Sequence, residues 1–215
     1  MSLEKYIDHT CLKPTATNTD IANLCQEAIE HEFYAVCVHG CHVGLAKSIL
    51  RGTHVKIASV VAFPLGAMST KTKVLEAADC IENGADEIDM VINVGWLKMK
   101  DHDAVRDEIK DVKKAIGDHL LKVIIETCFL TNEEKNIACA LTVDANADFV
   151  KTSTGFGTGG ATFEDVELMK KAVGDHAKIK ASGGIKTKEQ ALKYIELGVS
   201  RIGTSSGPLL VGDKS

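Results

Sequence analysis

A chain of 215 residues, 45% hydrophobic and 26% charged, has room for one domain with a large core and the balance of an ordinary globular protein. Its formal net charge of -5 excludes an overall basic field that would gather nucleic acid or acidic lipid, so a bound anion must be held by local groups. Seven cysteines, an odd number without a C-x-x-C pair, argue against a disulfide framework, and no apolar run approaches the roughly 20 residues of a membrane helix. The first ten residues carry Glu4, Lys5 and Asp8 instead of an apolar signal core, so a cytoplasmic protein is expected.

Short β-rich runs alternate with longer amphipathic stretches. Strands are predicted over Tyr6–Thr10, Tyr34–His39 and Lys56–Ala62. A helix over Thr70–Asn83 leads into a strand over Asp86–Asn93, and a helix over Ala104–Ile116 into a strand over Lys122–Thr127. Helix Glu133–Ala145, strand Asp148–Thr152, helix Phe163–Val173, strand Lys178–Ser182, helix Lys188–Leu197 and strand Ser200–Thr204 complete the series. Asn83-Gly84-Ala85 and Leu197-Gly198-Val199 have the chemistry of helix ends feeding a strand. Such alternation means βαβ units and a parallel sheet. Eight strands in this length fit a single-domain α/β (β/α)8 TIM barrel over residues 1–215, with an open doubly wound sheet as the alternative.

Alternation within strands assigns the faces. Ile88, Met90 and Ile92 share one face of the fourth strand, and Glu87, Asp89 and Asn93 the other. In the fifth, Val123 and Ile125 oppose Lys122 and Glu126; in the seventh, Ile179 and Ala181 oppose Lys180 and Ser182. Parallel strands are covered on both faces, so the polar set points into the barrel, where charges are costly unless they work or pair. Lys151 and Lys180 end neighbouring strands on the side where barrel enzymes build their sites. At about 5 Å and an effective dielectric of about 20, two such ammonium groups repel by roughly 3 kcal/mol, on the order of two pKa units. That shift favours the neutral amine a Schiff-base lysine needs. The bland alternative is that both lysines snorkel at the rim. Asp89 is either their counter-ion or a proton shuttle, and Lys122 with Glu126 is read as a neighbouring ion pair.

Gly155, Gly183-Gly184 and Gly203-Thr204-Ser205-Ser206-Gly207 each follow a strand. Bare N–H groups there, with the hydroxyls of Ser205 and Ser206, suit a phosphate better than they suit simple tight turns. Gly155-Phe156-Gly157-Thr158-Gly159-Gly160 formally matches G-x-G-x-x-G but sits in the wrong unit for a dinucleotide. Cys37-Val38-His39-Gly40-Cys41-His42 matches no standard zinc spacing, so no metal is expected and such residues are read as packing or pocket lining.

Taken together, Ile7-Asp8-His9-Thr10, Phe63-Pro64-Leu65-Gly66, Glu87 to Asn93, Lys122-Val123-Ile124-Ile125-Glu126-Thr127, Lys151-Thr152-Ser153-Thr154-Gly155-Phe156, Lys180-Ala181-Ser182-Gly183-Gly184 and Gly203-Thr204-Ser205-Ser206 resemble the deoxyribose-phosphate aldolases, class I Schiff-base aldolases. The resemblance spans nearly the whole chain. It implies reversible cleavage of 2-deoxy-D-ribose 5-phosphate to D-glyceraldehyde 3-phosphate and acetaldehyde, within deoxynucleoside breakdown. Lys151 would form the Schiff base, Lys180 perturb it, and Asp89 relay protons. Gly155, Gly183, Gly184, Ser205 and Ser206 would hold phosphate, with Cys37, Lys122 and Thr154 supporting the pocket. No metal or organic cofactor, nucleic acid or membrane is implied, and a homodimer is expected. Two departures stand out: Phe156 where some relatives have lysine, and His39-Gly40 where Asn-Pro is usual. A phosphosugar isomerase and a catalytically idle phospho-metabolite-binding barrel are the rival readings.

Overall fold

The computed structural model describes residues 2–212. The eight strands are β1 (Ile7–Thr10), β2 (Ala35–His39), β3 (Lys56–Val61), β4 (Glu87–Val91), β5 (Leu120–Ile124), β6 (Phe149–Lys151), β7 (Lys178–Ser182) and β8 (Arg201–Thr204). All pair in parallel with their sequence neighbours, and β8 pairs with β1 to close the barrel. The helices are α1 (Asn18–Glu30), α2 (Val43–Leu50), α3 (Thr70–Glu82), α4 (Val94–Lys98), α5 (His102–Ile116), α6 (Asn132–Asp144), α7 (Phe163–Val173), α8 (Lys188–Glu196) and α9 (Gly207–Val211). The TIM barrel expected from the alternation is therefore the fold.

Local chemistry explains where the helices begin and end. Thr17, Thr131 and Thr187 each cap an N-terminus reciprocally with the residue three positions on, Asp20, Glu134 and Gln190. Gly84 and Gly198 follow α3 and α8 with φ of 108° and 92°, a left-handed stop that glycine adopts without a Cβ clash. The outward strand residues Ile88, Met90, Val123, Ile179 and Ala181, with Ile92 and Ile125 one position past their strands, join one buried cluster with the helices, as the alternation requires. None of the described helices is long and apolar enough to cross a membrane.

Three local expectations are corrected. β4 ends at Val91, so Asn93 caps α4, its side-chain oxygen accepting from Trp96 N–H at 3.2 Å, and does not join the inward face. β7 has the expected bounds, Lys178–Ser182, so Lys180 stands in mid-strand and not at its end, in register with Lys151. β5 ends at Ile124, and Glu126 beyond it has φ 53° and ψ 67°, a left-handed turn that carries its side chain off the strand line. The expected Lys122–Glu126 ion pair is absent for that reason: Lys122 pairs with Glu87 at 2.5 Å and Asp89 at 2.8 Å.

Candidate active site

The barrel interior holds a connected charge network built from strand residues of one face. Asp89 Oδ1 accepts from Lys122 at 2.8 Å, and its Oδ2 accepts from both Lys151 and Lys180 at 2.8 Å. The two lysines that sequence alone placed side by side thus share one carboxylate oxygen. Lys180 also donates to Asp8 through a very short contact. Arg201 on β8 donates to Asp8 at 2.7 Å and reaches across the barrel to Glu87 at 2.9 and 3.1 Å, while its guanidinium lies 3.6 Å over the Tyr34 ring. Sequence reasoning missed Asp8 and Arg201 as site residues. Their signal was alternation again, though on one side only: Ile7 before Asp8 and Ile202 after Arg201 join the buried cluster with the helices, while His9 and Ser200 on the other sides are polar.

The network treats its amines unequally. Burial disfavours every charge here, yet Asp8 and Asp89 overcome it at Lys180 and raise its pKa above the usual lysine value. Asp89 and Glu87 do the same for Lys122, and Asp8 with Glu87 for Arg201. At Lys151 burial wins, Lys180 adds repulsion, and one contact to Asp89 does not compensate, so its pKa is lowered. Asp89 is held well below the carboxylate range by Lys122, Lys151 and Lys180 against its own burial. Asp8 is likewise held at about 2 by Lys180, Arg201 and Lys122 against burial. The expected repulsion between two lysines is present, but desolvation is the larger cause and the division of carboxylates decides which amine is depressed.

Lys151 reaches from this network into a cavity of about 510 Å³ at the C-terminal end of the strands. Gly155, Gly183, Gly184, Ser205, Ser206 and Thr154 line the same cavity, so the proposed Schiff-base amine and the proposed phosphate groups meet in one space. Gly155, Gly183 and Gly184 have φ of 84°, 86° and 80°, which explains glycine at each. Lys180, Asp89, Lys122 and Cys37 lie beneath the cavity floor and are almost fully buried. Cys37 packs with Leu12, Ala58 and Val60, and burial raises its thiol pKa. Lys13 and Lys186 also line the cavity and supply positive charge that sequence reasoning did not assign; Lys186 follows the Gly183-Gly184 loop by two residues, which was the available signal. Phe63 stands edge-on between the two departures, at centroid distances of 5.7 Å from His39 and 5.3 Å from Phe156, and Phe156 lines the cavity. Among the described residues no group of three or more His, Cys, Asp or Glu side chains is arranged to hold a metal ion.

Known proteins resemble the chain over this whole extent. Residues 3–209 match the family described as DeoC/LacD family aldolase. The deoxyribose-phosphate aldolase of Finegoldia magna is 57% identical over 211 residues, covering 98% of this chain and 99% of that one. A solved aldolase designated QR15 is 41% identical with a TM-score of 0.95, covering 98% of this chain and 95% of that one. The tetrameric deoxyribose phosphate aldolase of Aeropyrum pernix is 30% identical with a TM-score of 0.89, covering 97% and 89%.

Proposed function

The chain belongs to the DeoC/LacD family of aldolases, and from that premise we propose that Lys151 is its Schiff-base nucleophile in the reversible cleavage of 2-deoxy-D-ribose 5-phosphate to D-glyceraldehyde 3-phosphate and acetaldehyde. The single observation that carries the assignment is that Lys151 alone among the network's cations has a lowered pKa and lines the cavity. Family membership supports the lyase over the isomerase and the idle barrel.

Neutral Lys151 attacks the C1 aldehyde of the open-chain sugar, and loss of water leaves an iminium that withdraws electrons from C2. Removal of the C3 hydroxyl proton then breaks the C2–C3 bond, releasing glyceraldehyde 3-phosphate and an enamine. Protonation of the enamine and hydrolysis of the iminium return acetaldehyde and the free amine. Asp89, bound by three ammonium groups, is a poor base while all are charged. Discharge of Lys151 removes one of those cations and makes Asp89 more basic, which suits it to proton transfer while the carbinolamine forms; the iminium then restores the charge, so the C3 hydroxyl proton leaves through a relay that includes water. Gly155, Gly183, Gly184, Ser205 and Ser206 hold the phosphate, with Lys186 as a neighbouring cation. The reaction needs no metal or organic cofactor in this scheme. One catalytic domain over residues 1–215, cytoplasmic residence and a homodimer belong to the same proposal; light scattering distinguishes a dimer from the tetramer described for the Aeropyrum protein.

Borohydride reduction in the presence of acetaldehyde tests the central step. A two-carbon adduct is expected on Lys151 by peptide mass mapping, and Lys151→Ala is expected to lose both the adduct and turnover. A wild-type protein that gains no adduct, or a Lys151→Ala variant that keeps cleaving the sugar phosphate, refutes the assignment.

A further inference from the structure

We propose that Glu126 is a positioning residue that sets the phosphate end of the pocket through Thr154, an inference that rests on the aldolase reading above. Glu126 is buried and its backbone lies in the left-handed region that L residues rarely adopt. That turn carries the carboxylate from the end of β5 to the loop after β6. There it accepts from Thr154 N–H at 3.2 and 3.3 Å and from the Thr154 hydroxyl through a very short bond. The Cys128 thiol sits 3.8 Å from the same carboxylate. Lys122 is committed to Glu87 and Asp89, so it does not neutralise Glu126.

The direction of these bonds is forced. Thr154 N–H can only donate, and the Thr154 hydroxyl gives its proton to the same carboxylate. The Thr154 oxygen then presents a lone pair, which accepts from Phe156 N–H at 3.0 Å. Phe156 N–H is thereby tied into the loop, whereas Gly155 N–H finds no partner within the chain among the described residues. Gly155 lines the cavity with a φ of 84°, so between the tied N–H groups of Thr154 and Phe156 it is the backbone donor this turn leaves for an anion. The loop after β8 repeats the device: Thr204 accepts from Ser206 N–H at 3.0 Å and donates to Ile185 O at 3.0 Å. Both threonines line the cavity, but only Thr154 is anchored by a carboxylate. A buried negative charge near an anion pocket is costly, and a proton-free acceptor for two donors of Thr154 is what offsets it. Glu126→Gln leaves one oxygen to accept from both Thr154 donors and sets an NH2 in place of the other, which weakens the chain of bonds that holds the loop.

Steady-state kinetics on 2-deoxyribose 5-phosphate and on unphosphorylated 2-deoxyribose separate this role from general damage. Glu126→Gln and Thr154→Val are each expected to cut the kcat/KM preference for the phosphorylated sugar by about tenfold, chiefly through its KM. Thr154→Ser keeps the hydroxyl and is expected to retain the preference. The Glu126→Gln/Thr154→Val double variant should lose no more than either single variant, since both break one chain of bonds. Equal losses on the two sugars, or an unchanged preference, overturn the inference; if Glu126→Gln does not fold, the Thr154→Val and Thr154→Ser pair decides the same question. A wild-type protein that cleaves neither sugar and traps no acetaldehyde refutes the aldolase reading itself, which keeps the two failures apart.

Discussion

Lys151 and Lys180 stand opposite each other in register and share one oxygen of Asp89, yet their proton affinities are pushed in opposite directions. The difference lies in a second carboxylate. Lys180 has Asp8 as well as Asp89, whereas Lys151 has Asp89 alone and the cavity above it. Replacing Lys180 by Met removes a cation that lowers the Lys151 pKa and frees Asp89 to raise it. Both effects have the same sign. The ascending limb of kcat/KM against pH should therefore move to higher pH, and activity at pH 7 should fall by at least about tenfold, since each pKa unit costs that fraction of neutral amine. Because burial remains, the limb should still lie below that of an ordinary lysine. A Lys180→Met profile that superposes on the wild type would remove Lys180 from this role.

At the scale of elements, the site depends on where β4 stops. Lys73 on α3 and Glu108 on α5 form a fully buried pair at 2.8 Å behind that strand. Lys73 also donates to Val91 O at 2.8 Å, and Glu108 accepts from Asn93 N–H at 3.1 Å. Two helices thus grip the backbone two and four residues past Asp89. Lys73→Met would leave Glu108 buried without its cation and should cost about 3–5 kcal/mol in urea unfolding. Adding Glu108→Leu should recover much of it; a single-variant loss under about 1 kcal/mol would count against this clamp. The strands and their faces were legible because a parallel barrel strand must place apolar residues against helices on every second position, as at Ile88, Met90, Val123 and Ile179. Lys151, Lys180 and Asp89 could be read for the same reason. Asp8 and Arg201 could not be paired, since 193 residues separate them and only barrel closure brings β8 beside β1. Glu126 defeated the alternation rule because the strand ends before it and its backbone turns left-handed.

The whole molecule carries a net negative charge, but the network inside its barrel is weighted the other way. Lys122, Lys151, Lys180 and Arg201 stand against Asp8, Glu87 and Asp89. With every group ionised the cations exceed the carboxylates by one. The amine whose burial goes uncompensated is therefore the one whose discharge brings the interior to electroneutrality. Condensation with an aldehyde restores the missing positive charge as an iminium at the same place. Above the Lys151 pKa that conversion must draw one proton from solution, and below it none, because the ammonium already holds it. Calorimetry of acetaldehyde binding in buffers of differing ionisation enthalpy should show proton uptake rising with pH along the same curve as activity; uptake that stays at zero in alkaline buffer would mean the barrel does not keep its reactive nitrogen uncharged.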